Sequence, residues 1–419
     1  MTPARRHHPR CKLAAFTVLA MTTQTAPAWA ADDEVEIPLV PRQKTEITLV
    51  PLAGGDSDIG IGGGALSSIA RLDKDYKPFI WRLESVAFIS FKPTPGGGVE
   101  VPFQDYFLKW TVPHLVRNKL RFELRPSFTW LSTMKYFGLG NDSKMDTLAS
   151  KYNEFGRINP ALRSSMRVTL HNNWSLITGA TYTQNWLNVE QDSKLAEDMR
   201  SGSAAVKNLL GTARTHGVLQ FEYGVIYDRR DNEVSTTRGM FHQASVRLSP
   251  GGEGLFLPYQ YGEGNLTMRV FIPLGTPRLV LAMRGVVDLL FGNAPFYELA
   301  RYEDTNAIGG GNGVRGVPAQ RYYGKAKVFG NVEVRAQIVE ARISNKMYKV
   351  GVVGFFDAGR VWADYEARPE LDGVGLGIKY GVGGGFRIQS GESFVLRADI
   401  AWSPDARPIG AYFGAGQMF

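Results

Sequence analysis

Strict alternation of apolar and polar residues, sustained over unusually long segments, constrains this chain more than any other feature. Between positions 120 and 130, Leu120, Phe122, Leu124, Pro126, Phe128 and Trp130 alternate with Arg121, Glu123, Arg125, Ser127 and Thr129. A strand turns successive side chains to opposite faces, so this segment has one apolar side and one charged side. The pattern recurs at 327–338, where Val328, Gly330, Val332, Val334, Ala336 and Ile338 interleave with Lys327, Phe329, Asn331, Glu333, Arg335 and Gln337. It recurs again where Leu396, Ala398, Ile400 and Trp402 flank Arg397 and Asp399. Soluble sandwiches alternate too, but runs of eleven residues suit a tilted bilayer crossing better than a typical soluble strand. Trp110, Trp130, Tyr136, Trp174, Trp362 and Trp402 gather near strand ends, where an aromatic girdle would meet lipid headgroups.

Sixteen strands are expected, at 45–52, 57–71, 79–91, 100–112, 118–133, 156–170, 173–188, 215–228, 239–249, 259–273, 278–292, 325–341, 347–358, 375–388, 392–403 and 410–419. The fold class is therefore all-β: a transmembrane antiparallel β-barrel of about sixteen strands. An even number lets every edge pair when the first strand meets the last. With the N-terminus periplasmic, even-numbered connections must be periplasmic, and those should be short. His171-Asn172, Leu274–Pro277, Arg342–Lys346 and Gln389–Gly391 occupy such places, whereas 134–155, 189–214 and 293–324 are long and fall on the outer side. Helical spacing around Leu195 and Leu209-Leu210 predicts a small cap within the second of these outer loops.

The remaining sequence fits a secreted barrel. No apolar run of eighteen residues exists, so no helical span is expected. Residues 1–30 read as a cleaved signal peptide: Arg5, Arg6, Arg10 and Lys12 precede a short apolar core, and Ala28-Trp29-Ala30 supplies the small-residue cleavage pattern. Removing them takes the formal charge from +8 to +4. No basic run with interleaved aromatics remains, and nucleic acid is not an expected partner. Cys11, the single cysteine, falls within the signal, so disulfide and thiol chemistry are not expected.

The domain plan is then a signal at 1–30, a short periplasmic segment at 31–44, and the barrel at 45–419. Its last strand is expected to end on Phe419, with Gly414 at the spacing of a C-terminal assembly signal; Gln417 stands where an aromatic is usual.

Three segments narrow the family. Gly309-Gly310-Gly311-Asn312-Gly313-Val314-Arg315-Gly316-Val317 lies in the longest loop, with Arg321-Tyr322-Tyr323-Gly324 after it. Phe355-Phe356-Asp357-Ala358-Gly359 lies on the strand after next. Tyr227-Asp228-Arg229-Arg230-Asp231-Asn232 precedes Arg238-Gly239 in a turn. Tyr136-Phe137-Gly138-Leu139-Gly140-Asn141-Asp142 has the form of an outer-loop motif. Together these resemble the bacterial surface antigen family, the barrel shared by BamA/TamA-type outer-membrane assembly proteins. The resemblance covers nearly all of 45–419.

Asp357 shares parity with Phe355 and Val353, and an aspartate facing lipid is costly, so this parity should face the lumen. A glycine-rich loop can fold back into the barrel, bringing Arg315 to Asp357 as a two-pronged pair. The resemblance implies the same contact. Arg315, Gly316, Asp357 and Gly359 thus form an expected loop–barrel lock, which Glu333 and Arg335 could extend. The lock reads first as a structural brace, with a direct catalytic or gating role as the alternative. Asp228, Arg230, Asp231 and Arg238 read as an ordinary charged turn. Gly309–Gly313 lacks the Lys-Ser/Thr ending and strand-to-helix setting of a phosphate loop.

The resemblance implies an integral protein of the bacterial outer membrane that inserts other barrels or moves polypeptide or lipid. Family members usually carry periplasmic transport-associated domains, yet fourteen residues at 31–44 cannot bury a core. A separate periplasmic partner and unfolded polypeptide clients are therefore the expected partners, besides outer-membrane lipid. Its seam would lie between Glu46–Leu49 and Tyr412–Phe419. A passive solute pore is the alternative, and an outer-membrane lipid hydrolase a third reading. His114, His171, His216 and His242 lie at or near expected strand ends without a nucleophile motif, reading as interface or turn residues. No enzyme activity, cofactor or metal is expected.

Overall fold

The computed structural model describes residues 43–419, apart from 57–58, 74–75, 95–96, 146–150, 213–214, 253–255, 303–304, 344–345, 391–393 and 406–408. The expected signal peptide, Cys11 and nearly all of the 31–44 segment lie outside the described residues.

Sixteen long strands form one antiparallel meander: β1 Gln43–Asp56, β2 Gly60–Asp73, β3 Tyr76–Pro93, β4 Phe103–His114, β5 Leu120–Lys135, β6 Glu154–Thr169, β7 Trp174–Asn188 and β8 His216–Asp228. Then come β9 Gly239–Ser249, β10 Tyr261–Pro273, β11 Leu279–Gly292, β12 Ala326–Ile343, β13 Lys346–Trp362, β14 Lys379–Ser390, β15 Phe394–Trp402 and β16 Gly410–Ala415. Each strand pairs with its sequence neighbour, and a small two-residue strand at Val99–Glu100 adds to β3. The ring is nearly closed, because β1 meets β16 through a single register pair, Asp56 with Tyr412. All sixteen expected segments overlap one of these strands.

The alternation sorts the side chains as the sequence implies. On β12, Val328, Val332 and Val334 stand exposed on the outer face, while Lys327, Phe329, Asn331 and Glu333 are buried in the lumen. On β13, Val352 and Phe356 face out, and Val353, Phe355 and Asp357 face in. A bulge between Gln337 and Val339 adds one residue to β12. It turns Ile338 and Val339, consecutive residues, both outward.

Two expectations change at the ends of the sheet. The last strand stops at Ala415; Gly416, at φ +85°, turns the chain inward, and Met418 and Phe419 are buried against Phe271, Val280 and Ala282. Phe419 therefore does not end a strand. Residues 45–52 pair only with β2 and are not the partner of β16. Ile47 and Leu49 are the most exposed apolar residues of β1, at 73% and 71%.

The long connections at one end of the barrel hold a second core. Ser193 and Ser203 cap helices Lys194–Ser201 and Ala204–Leu210 by accepting from the amides of Ala196 and Val206. Their Leu195, Leu209 and Leu210 pack with Tyr136, Phe296 and Tyr323. Tyr136 is fully buried there, which removes it from the expected aromatic girdle: it follows directly on β5 and enters the cap. Trp110, Trp130, Trp174 and Trp402 remain exposed on the barrel wall.

Candidate functional site

The glycine-rich loop between β11 and β12 folds into the barrel. Gly309, Gly310 and Gly316 have φ of +126°, +72° and +91°, conformations that other residues adopt only with strain. The loop also needs close backbone approach. A Cβ on Gly316 would stand 2.8 Å from the carbonyl carbon of Trp402, and one on Gly381 of β14 only 1.8 Å from the Arg315 carbonyl oxygen.

At the loop tip Arg315 is fully buried. Its Nε and Nη2 donate to Asp357 Oδ2 and Oδ1 at 2.7 and 3.0 Å, and its backbone amide donates to Oδ2 at 3.1 Å. Nη1 donates to Glu333 Oε1 at 2.7 Å and to Asp399 Oδ2 at 3.1 Å. The guanidinium lies 3.4 Å above the Phe355 ring. Arg335 donates to Glu333 Oε2 at 2.7 Å, and Arg387 donates to Asp399 at 2.5 Å. Three arginines thus meet three carboxylates away from water. Such a cluster holds only when each charge is paired, because desolvating an unpaired ion costs several kcal/mol, on the order of 3–5 when one partner is removed.

Further contacts extend the tie to all six strands from β11 to β16. Arg284 of β11 donates to the Asn312 carbonyl at 2.6 Å, and Asn331 of β12 donates to the Gly313 carbonyl at 2.9 Å. The Gly316 amide donates to the Tyr412 hydroxyl of β16 at 2.9 Å. Gly359 lies where a Cβ would come within 2.4 Å of Ile308 and 2.6 Å of Phe329, so its missing side chain makes room for the loop.

Arg315, Gly316, Asp357, Gly359, Glu333 and Arg335 therefore come together. Phe419 joins from the other side: its backbone oxygen accepts from Arg335 at 3.1 Å, and its ring lies under Arg335 and Arg284. Gln417, the departure from the usual aromatic, accepts from Arg387 Nε at 3.0 Å. Gly414 stays on the wall, paired with Arg397 of β15. Asp399, Arg387 and Tyr412 are members that sequence reasoning missed. The available signal was parity, since Asp399 sits on the polar face of an alternating strand.

Other sequence candidates fall elsewhere. Asp228 accepts from the Arg230 guanidinium at 2.9 and 2.7 Å, and Asp231 accepts from the amides of Asn232, Thr237 and Arg238, closing the turn between β8 and β9. His216 is neither an interface nor a turn residue. It is buried beneath the helical cap, its Nε2 2.8 Å from the Tyr297 hydroxyl and its ring against Tyr259.

Comparison with solved structures finds the same fold. BamA from Haemophilus ducreyi lacking POTRA domains 1–3 matches with a TM-score of 0.57 and 16% identity, over 90% of this chain and 70% of that one. CdiB from Escherichia coli matches with a TM-score of 0.55 and 12% identity, over 89% of this chain and 63% of that one. Comparison with curated proteins returns no match. The family model described as the Omp85 superfamily domain matches residues 103–419, which include the locked loop and every strand it touches. The chain belongs to the Omp85 superfamily.

Proposed function

We propose that this barrel is an integral protein of the bacterial outer membrane that takes part in inserting other outer-membrane proteins or in translocating polypeptide or lipid, together with a separate periplasmic partner. It is a conduit and not an enzyme. The observation that carries this reading is the seam. β1 and β16 share one register pair while every other neighbouring pair shares six or more. Exposed Ile47 and Leu49 lie on the under-paired strand. An unpaired strand edge is a template for another strand, so an incoming chain could add there. The loop lock holds the six strands β11 to β16 as a brace against which the seam would open.

A disulfide across the seam tests this. Continuing the Asp56–Tyr412 register places Gly54 opposite Gly414, and a Cβ on Gly54 lies 3.9 Å from the Phe413 carbonyl. Oxidised Gly54→Cys/Gly414→Cys chain should lose activity and recover it on reduction. Unchanged surface levels of other barrels in a deletion strain would refute an insertion role. The passive-pore reading is favoured by the cavity left in the lumen opposite the loop. A large steady conductance with a sharp size cutoff, unaffected by the oxidised disulfide, would establish it instead.

A further inference from the structure

The locked loop fills only one side of the lumen. Opposite it, walled mainly by β4 to β9, lies a cavity of about 520 Å³, within the range of roughly 300–1,000 Å³ typical of small-molecule sites. Six guanidiniums line it, those of Arg125, Arg157, Arg163, Arg247, Arg301 and Arg397, against two carboxylates, Asp105 and Glu298. The remaining wall is half hydroxyl and amide, and half glycine and apolar side chains.

Four acids offset part of the six cations, since Arg247 also lies 3.8 Å from Glu222 and 3.9 Å from Glu263 in the barrel wall. Glu298 lies 3.5 Å from Arg301, and Asp105 accepts from the Thr129 hydroxyl. Arg157 donates to the neutral Asn185 at 2.9 and 2.7 Å, and Arg397 donates to the neutral Asn312 at 2.7 Å. Arg125 lies 4.2 Å over the Phe107 ring. Arg125 Nε, Arg397 Nε and Arg397 Nη1 are shielded from solvent with no hydrogen-bond partner among the described residues. Shielded cationic donors without a hydrogen-bond partner are costly. Such groups favour a multiply charged oxyanion, because guanidinium forks match its geometry. Arg125, Arg157 and Arg397 thus lie against neutral groups, unlike the three arginines of the lock, each of which donates to a carboxylate.

We propose that this vestibule binds a small, multiply charged oxyanion of the phosphate or pyrophosphate class. Nothing in the proposal depends on which polypeptide the barrel handles. The phosphate could belong to a free solute or to a lipid headgroup entering from the seam.

The test is calorimetric titration of the full chain, in detergent micelles, with pyrophosphate. Saturable binding is expected, weakened about tenfold by Arg125→Gln or Arg163→Gln, since a charge-assisted bond contributes about 1.5 kcal/mol or more. Arg71→Gln, on exposed β2, should leave it unchanged. In planar bilayers under a potassium chloride gradient, the reversal potential should favour chloride, and pyrophosphate should reduce that preference. In uncharged micelles, displacement of pyrophosphate by the soluble headgroup glycerophosphoglycerol would identify a headgroup as the competing source; no displacement would identify a free solute. The proposal is overturned if the wild-type chain shows no saturable binding. It is also overturned if an Arg125→Gln/Arg163→Gln chain of native electrophoretic mobility binds equally well. Should those variants fail to fold, the wild-type titration and the sign of its reversal potential still decide, and cation preference without binding overturns it.

Discussion

Arg315 makes five hydrogen bonds to three carboxylates on three different strands. Arg315→Ala leaves Asp357, Glu333 and Asp399 with only Arg335 and Arg387 for neighbours. Losing one partner of a buried pair costs about 3–5 kcal/mol, so the loop should leave the wall before the barrel itself unfolds. Tryptic cleavage at Arg321, beside the loop, should accelerate at least tenfold, with heat-modified mobility of the barrel retained. Arg315→Lys should give partial release, because one ammonium cannot serve a two-pronged carboxylate and two further acids together. Cleavage at the wild-type rate in Arg315→Ala would show that backbone contacts alone hold the loop. The pairing of Arg315 with Asp357 was legible because a motif and a parity argument converge on it. Asp399 was not, because parity says which face a side chain takes but not its height in the barrel. Height follows from the register between strands, which sequence alone does not determine.

Strands were the most legible elements, since each alternates long enough to fix its faces. Their ends were less so. β16 carries the alternating pattern to position 419, yet Gly416 breaks it, and the arginines of β12 and β14 draw the last residues inward. That attraction arises between distant segments and leaves no local signature. The turn between β8 and β9 shows the opposite case, a local device readable from Asp-Asn-x-x-x-Thr-Thr-Arg. Partial burial opposes the charge on Asp231, but the bonds from Thr237, Arg238 and Asn232 outweigh it and hold its carboxyl below the usual carboxylate range. A depressed folded pKa means that Asp231 stabilises the turn at pH above its unfolded value of about 3.9. That contribution is lost as pH falls through the lower folded value. Amide exchange at Thr237 and Arg238, corrected for the intrinsic pH dependence, should therefore speed up in that acid range. In Asp231→Asn the acid transition should disappear; its persistence would assign the effect to another group.

At the scale of the whole barrel, stability is graded from six braced strands, β11 to β16, to one loosely held strand, β1. The loop ties β11 to β16 together through buried charge and close backbone contact, while β1 is bonded along its length to β2 alone. A strand with one neighbour leaves alternate amides without a ladder partner, and such amides exchange by local fluctuation instead of global unfolding. The loose edge was not legible in the sequence, because the even strand count predicts full closure and says nothing of how many residue pairs close it. Hydrogen exchange on the folded chain in micelles should therefore be graded around the ring. Amides of β12 and β13, which share seventeen register pairs, should be protected longest. Half of the β1 amides between Gln43 and Gly55 should exchange at least a hundredfold faster. Oxidising Gly54→Cys/Gly414→Cys should slow exchange at the outer end of β1 most, because a tether at one end restrains the nearest pairs first. Equal protection of β1 and β12 would mean that the seam is closed in solution, and the opening step proposed for this barrel would then need a partner to start it.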